Sequence, residues 1–268
     1  MKNLVILDSG HAEYVEGKQA PDKSLREWDF NNQIQYKLKK RCEDHNIDVY
    51  LTNPSPKGKD EMGLTKRANL ANSYWSSKNK PNALFISIHA NAHLSNFSSA
   101  RGTETFVANN ASTNSKNAAK YIQNEIVKEI KSIDKDAKDR GVKVEDFTVI
   151  YKTNIPSILI EYAFYTNEED LKILKNNKDD LVEATMIGIC KYFNIEYKAL
   201  TSNSNNNNNN NTNNDNNNNN NNSNNTDTNI YYRVVAGSYK DKSNAEDTVK
   251  ELKKLGFDAF IVTYNNKN

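Results

Sequence analysis

Apolar residues cluster in short runs through most of the chain: LVIL (4–7), IDVYLT (47–52), ALFISI (83–88), TETFV (103–107) and SILIE (157–161). The runs are brief, rich in β-branched and aromatic residues, and nearly continuous, a pattern that predicts strands covered on both faces. Between them the spacing changes. Phe30, Ile34, Leu38 and Cys42 recur on one helical face and predict a helix over residues 27–45. Leu64, Ala68, Ala71 and Trp75 mark a second helix, and Ala118, Ile122, Ile126, Ile130 and Ile133 a third. Leu181, Thr185, Ile189 and Phe193 mark a fourth. Strands alternating with helices of this length predict an α/β fold, a mixed, largely parallel twisted sheet flanked by helices, over residues 1–200.

The pattern then stops. Residues 202–229 are mostly asparagine, with no apolar face to offset the entropy of ordering, so 201–229 is expected to be a disordered linker. As a flexible coil its ends would lie roughly 25–30 Å apart. Foldable sequence resumes at residues 230–268 as a small β-α-β unit: a strand at 231–236, a helix carrying Ala245, Val249, Leu252 and Leu255, and a strand at 257–264. So short a segment makes a thin core.

Composition narrows the classes. The tract accounts for much of the low mean hydropathy of −0.87 in a chain of 268 residues that is 36% hydrophobic. A net charge of +2 gives no basic stripe, so no nucleic acid is expected as a partner. No apolar span approaches the length of a membrane helix, so no membrane partner is expected either. The opening MKNLVILDSG has no long apolar region or cleavage site, and the chain is expected to be made in the cytoplasm without a signal peptide. Cys42 and Cys190 both fall on apolar helix faces and read as buried free thiols.

Candidate chemistry lies where the strands end. LVILDSGH, LFISIH and ILIEYAF place His11, His89 and Glu161 at or just beyond the ends of apolar runs. In parallel neighbours those ends share the sheet edge where open α/β folds bind ligands. Glu27 opens the first helix. Two imidazoles and two carboxylates can supply a His2Glu zinc site and a separate base for the water it activates. Each also has a plain structural reading. Glu27 suits the helix dipole as a first-turn acid, and Glu161 can pair with a lysine or arginine. The spacing is not a compact local motif.

The segments LDSGHA, REWDFNNQIQYKL, LTKRANLAN, FISIHANA, GTETF and SILIEYAFYTNEED occur in the order seen in the zinc-dependent N-acetylmuramoyl-L-alanine amidases of the amidase-3 family. The chain resembles that family over residues 1 to about 195. The resemblance implies that His11, Glu27 and His89 bind Zn2+ and that Glu161 is the catalytic glutamate. Glu104, in GTETF, recurs near the family's cleft and is given a supporting role. Where the family usually has Pro-Gly-His-Gly, this chain has Ser9-Gly10-His11-Ala12, which alters the loop but removes no ligand. His93 is expected in a loop and His45 at a helix end, while Arg67 and Asn72 are expected to tie the second helix to its neighbours.

The tail is similar to the SPOR family of peptidoglycan-binding modules, in VVAGSY, the alanine-bearing helix and LGFDAFI. It spans one strand-helix-strand half of such a module, so self-association through the tail is an expectation. Together these resemblances imply a peptidoglycan hydrolase that cleaves the amide between N-acetylmuramic acid and L-alanine, with bacterial peptidoglycan as partner. A wall-binding tail without a signal peptide fits a phage endolysin better than a secreted autolysin. The competing readings are a non-catalytic peptidoglycan-binding protein and a zinc hydrolase of another cell-wall amide bond.

Overall fold

Successive apolar side chains leave β1 (Leu4–Ser9) on opposite sides, and each side meets its own helical layer. Val5 and Leu7 pack into a core with Phe30, Ile34 and Leu38 of α1 (Glu27–Asp44). Leu4 and Ile6 belong to a second core with Ala71 of α2 (Leu64–Ser77). Both faces are buried, so the run is apolar throughout. The computed structural model describes residues 2–54, 58, 60–200, 241–254, 261 and 263, and divides into units Met1–Asn203 and Ser204–Asn268.

The sheet of the first unit has the order β2-β1-β3-β6-β4-β5. Its other strands are β2 (Asp48–Leu51), β3 (Ala83–Asn91), β4 (Thr103–Val107), β5 (Asp139–Val144) and β6 (Ser157–Phe164). All neighbours are parallel except β4 and β6, so the sheet is mixed and largely parallel, as the run pattern implies. The larger core also takes in α3 (Thr113–Ile133) and α6 (Lys178–Phe193). These two helices pack so closely that a Cβ at Gly188 would stand 2.7 Å from the Ile122 backbone. The smaller core includes Val149 and Ile150 of α4 (Thr148–Tyr151). Cys42 and Cys190 are buried free thiols.

Three elements have no counterpart in the apolar pattern. β5 reads DRGVKV, and its two valines, Val142 and Val144, are exposed. As an edge strand it joins by backbone hydrogen bonds and has no apolar run to announce it. The single turn of α4 is too short to show a period. α5 (Glu168–Asn176) is set by its cap, with the Asn167 side chain accepting from the Glu169 and Asp170 amides at 3.2 Å. β3 also runs past the expected end at residue 88, so His89 stands within the strand.

A buried polar cluster fixes α2 on the sheet. Asp8 accepts from Thr52 at 2.6 Å, from Ser87 at 3.0 Å and from Arg67 at 3.5 Å. Arg67 also donates to the Ser9 carbonyl at 3.2 Å and the Met62 carbonyl at 3.0 Å. Asn72 bonds the backbone of Lys152 and Asn154. Both residues tie α2 to its neighbours.

In the second unit the described residues form one helix, α7 (Lys242–Lys254). The asparagine linker lies outside the described residues, and so does nearly all of the two expected tail strands. No helix among the described residues is long and apolar enough to cross a membrane.

Candidate metal centre

β1 delivers His11 through a constrained turn. The Gly10 amide still donates to the Ile88 carbonyl at 3.0 Å, which keeps the chain against β3. A Cβ at Gly10 would lie 2.2 Å from Cε1 of His89, so the glycine is required by the imidazole resting on it. His11 itself has φ 66°, a left-handed conformation costing a side-chain-bearing residue about 1–2 kcal/mol. Asparagines hold the turn in place. Asn53 donates to the Ser9 carbonyl at 2.6 Å and the His11 carbonyl at 3.3 Å, and Asn31 to the Gly10 carbonyl at 3.2 Å. Such strain persists where the surroundings over-determine it. Ser9, at the position where the resembled family usually has proline, has a buried hydroxyl without a partner among the described residues.

Glu27, the first residue of α1, is turned inward and only 2% exposed. Its Oε1 lies 3.4 Å from His11 Nε2 and 3.0 Å from His89 Nδ1, and its Oε2 lies 3.7 Å from Lys18 Nζ. Burial would raise the Glu27 pKa, but the two histidines outweigh it and hold the carboxyl well below its ordinary value. Burial would likewise lower His11, and the Glu27 contact reverses that, leaving the imidazole raised. The outer nitrogen of His11, Nδ1, stands 2.6 Å from Oε1 of Glu61. A carboxylate there fixes the ring orientation and leaves Nε2 for the centre.

One ligand atom from each of His11, Glu27 and His89 lies within 4.8 Å of the others. Tetrahedral zinc at about 2.0–2.2 Å from each donor separates its ligands by roughly 3.5 Å. Contacts of 3.4 and 3.0 Å on Glu27 Oε1 suit such an ion, as does the mixture of two imidazoles and a carboxylate. The residues therefore fit zinc.

Strand pairing brings Glu161 beside the group. On β6 it is level with His89 of β3 on one side and with Glu104 of β4 on the other. Its Oε2 is buried and has no hydrogen-bond partner among the described residues. Burial first, then the nearby Glu27 and Glu104 charges, push its pKa well above the usual carboxylate range. Glu104 behaves oppositely. It accepts from Asn91 at 2.6 Å and from Arg140 at 2.6 Å, and Lys143 also pairs with it. Burial would raise its pKa, but Lys143 and Arg140 more than offset this and keep it lowered.

The structure thus brings His11, Glu27 and His89 together with Glu161 alongside, and gives Glu104 a place next to Glu161 rather than in the metal group. His93 sits in the exposed loop after β3. His45 caps α1, bonding the Arg41 carbonyl at 2.7 Å and accepting from the Lys198 amide at 2.8 Å. Sequence reasoning did not find Glu61, Asn31 or Asn53. Glu61 lies in an aperiodic loop, and nothing in its neighbourhood along the chain marks it.

Residues 5–191 match the family model described as N-acetylmuramoyl-L-alanine amidase, and residues 212–263 match that of the SPOR domain, whose match begins inside the asparagine tract. The chain is 29% identical over 204 residues to an endolysin of Bacillus phage SPP1, covering 74% of this chain and 69% of that one. It is 26% identical over 262 residues to the N-acetylmuramoyl-L-alanine amidase CwlM of Bacillus licheniformis, covering 96% and 84%. Among solved structures, an N-acetylmuramoyl-L-alanine amidase from Clostridium difficile 630 superposes with a TM-score of 0.62 at 30% identity, covering 72% of this chain and 97% of that one.

Proposed function

The chain belongs to the N-acetylmuramoyl-L-alanine amidase family, and from that premise we propose that His11, Glu27 and His89 hold a zinc ion and that Glu161 is its catalytic base. It is a peptidoglycan amidase that acts on the cell wall. The observation that carries the site assignment is the pairing of a three-donor cluster with a buried, unpartnered carboxylate oxygen one strand away. A bound zinc polarises the scissile carbonyl and lowers the pKa of water at its open position.

The chain's own residues do the rest. Glu161 takes the proton of the attacking water and delivers it to the departing L-alanine nitrogen. Its burial raises the carboxyl's affinity for that proton. Glu61 orients His11, and Gly10 gives His89 its room. Asn53 and Asn31 hold the strained turn between them. The SPOR-type tail keeps the amidase on its polymeric substrate, raising local concentration. The similarity to a phage endolysin supports host lysis as the setting.

Mass spectrometry of purified peptidoglycan digested with the full chain tests the reading. New L-alanine amino ends matched by free lactyl carboxylates are expected, with stoichiometric zinc in the active protein. Other new ends, or full activity after the metal is stripped, would reject it.

A further inference from the structure

Beyond the reacting group the same edge of the sheet continues into a basic pair with spare hydrogen-bonding capacity. His89, Glu161 and Glu104 stand in register across β3, β6 and β4, and Arg140 and Lys143 of β5 close the row on Glu104. Two positive charges meet one carboxylate there. Asp139, next along β5, pairs with neither of them among the described residues; its Oδ1 accepts from Gln123 at 2.8 Å and from the Gly141 amide at 2.9 Å. Arg140 uses only Nε on Glu104, and neither terminal nitrogen has an acceptor among the described residues. Its guanidinium carbon is 4.9 Å from the Phe164 ring centroid, which fixes the plane of the fork. With 34% and 39% of their side chains exposed, Arg140 and Lys143 remain open to a ligand.

We propose that Arg140, supported by Lys143, binds a carboxylate of the stem peptide, the free α-carboxylate of its second residue. The inference rests on the reading that the cleft cuts the muramoyl–L-alanine amide. Substrate chemistry selects the peptide, because the muramic acid carboxyl is itself consumed in the scissile amide and the sugars offer only neutral groups. Distance selects the residue. Neighbouring strands are about 4.8 Å apart, which puts a guanidinium resting on Glu104 roughly 5–10 Å from Glu161. Two extended peptide residues span about 7 Å. Glu104 is then a positioning residue that aims the guanidinium fork.

The test compares two soluble substrates, muramoyl-L-alanyl-D-glutamate and its D-isoglutamine counterpart, which differ only in an α-carboxylate or a carboxamide. For the full chain loaded with zinc, kcat/KM is expected to favour the carboxylate by about 10- to 100-fold, expressed in KM, as a charge-assisted pair implies. Arg140→Gln should bring the ratio near one, and Arg140→Lys should restore part of it. Because the ratio is taken within one protein, any general damage from loosening Glu104 cancels. Equal use of both substrates by the unaltered chain, or an unchanged ratio in Arg140→Gln, overturns the proposal. Cleavage of neither substrate by the unaltered chain would reject the parent reading as well.

Discussion

Asp8 and Glu161 are carboxylates on the same face of one sheet, and their hydrogen bonding differs. Asp8 has both oxygens occupied, by Thr52, Ser87 and Arg67, and the bonds hold α2 in place. Glu161 has an oxygen sealed from solvent with nothing to bond among the described residues. Leaving a buried acceptor unmatched costs about 1–3 kcal/mol, a cost chains avoid wherever a partner is easily supplied. A saturated buried carboxylate is a fastening; on the proposed reading, the unsaturated one beside the metal-type cluster is the one that takes a proton. The contrast is sharper because the two environments share strands: Ser87, which serves Asp8, and His89, level with Glu161, both belong to β3.

The largest expected effect tests the reactive side. Removing metal with a chelator should abolish cell-wall turnover, and adding zinc should restore it. The metal-free protein should also melt lower, since a ligand at about 1,000 times its Kd stabilises by about 4 kcal/mol. Next, Glu161→Gln should retain zinc while turnover falls about 10²- to 10⁴-fold, read from dye release off labelled walls and metal content together. Near-normal lysis would make Glu161 a second fastening and erase the comparison.

Asp8→Asn probes the other half. Arg67 would be left buried against an uncharged partner, a loss of about 3–5 kcal/mol in denaturant unfolding. The folded fraction should keep its zinc. Loss of zinc without loss of stability would show that Asp8 belongs to the site. The smallest effects concern support. Glu61→Gln weakens the orientation of His11 and should lower zinc affinity about 10- to 100-fold in competition with a chromogenic chelator. Unchanged affinity would leave the contact at His11 Nδ1 without a role in the metal site.

The continuous apolar runs set strands covered on both faces, and the four-residue periods set α1, α2, α3 and α6, because a side chain's own burial is written at its own position. The residue types of the site were legible for a related reason: His11, His89 and Glu161 interrupt or follow apolar runs where a charged group has to be accounted for. Strand order was not legible. Only the folded sheet sets β6 between β3 and β4, and so puts Glu161 between His89 and Glu104. β5, polar and at the edge, left no trace in the pattern, and the Arg140–Lys143 pair it carries went unseen with it. Glu61 reaches His11 across 50 positions from an aperiodic loop. The sequence by itself determined which residues are available for chemistry; the tertiary structure decided which carboxylate is fastened and which is left unpaired. That decision depends on hydrogen-bond partners brought from distant parts of the chain, and no local pattern records them.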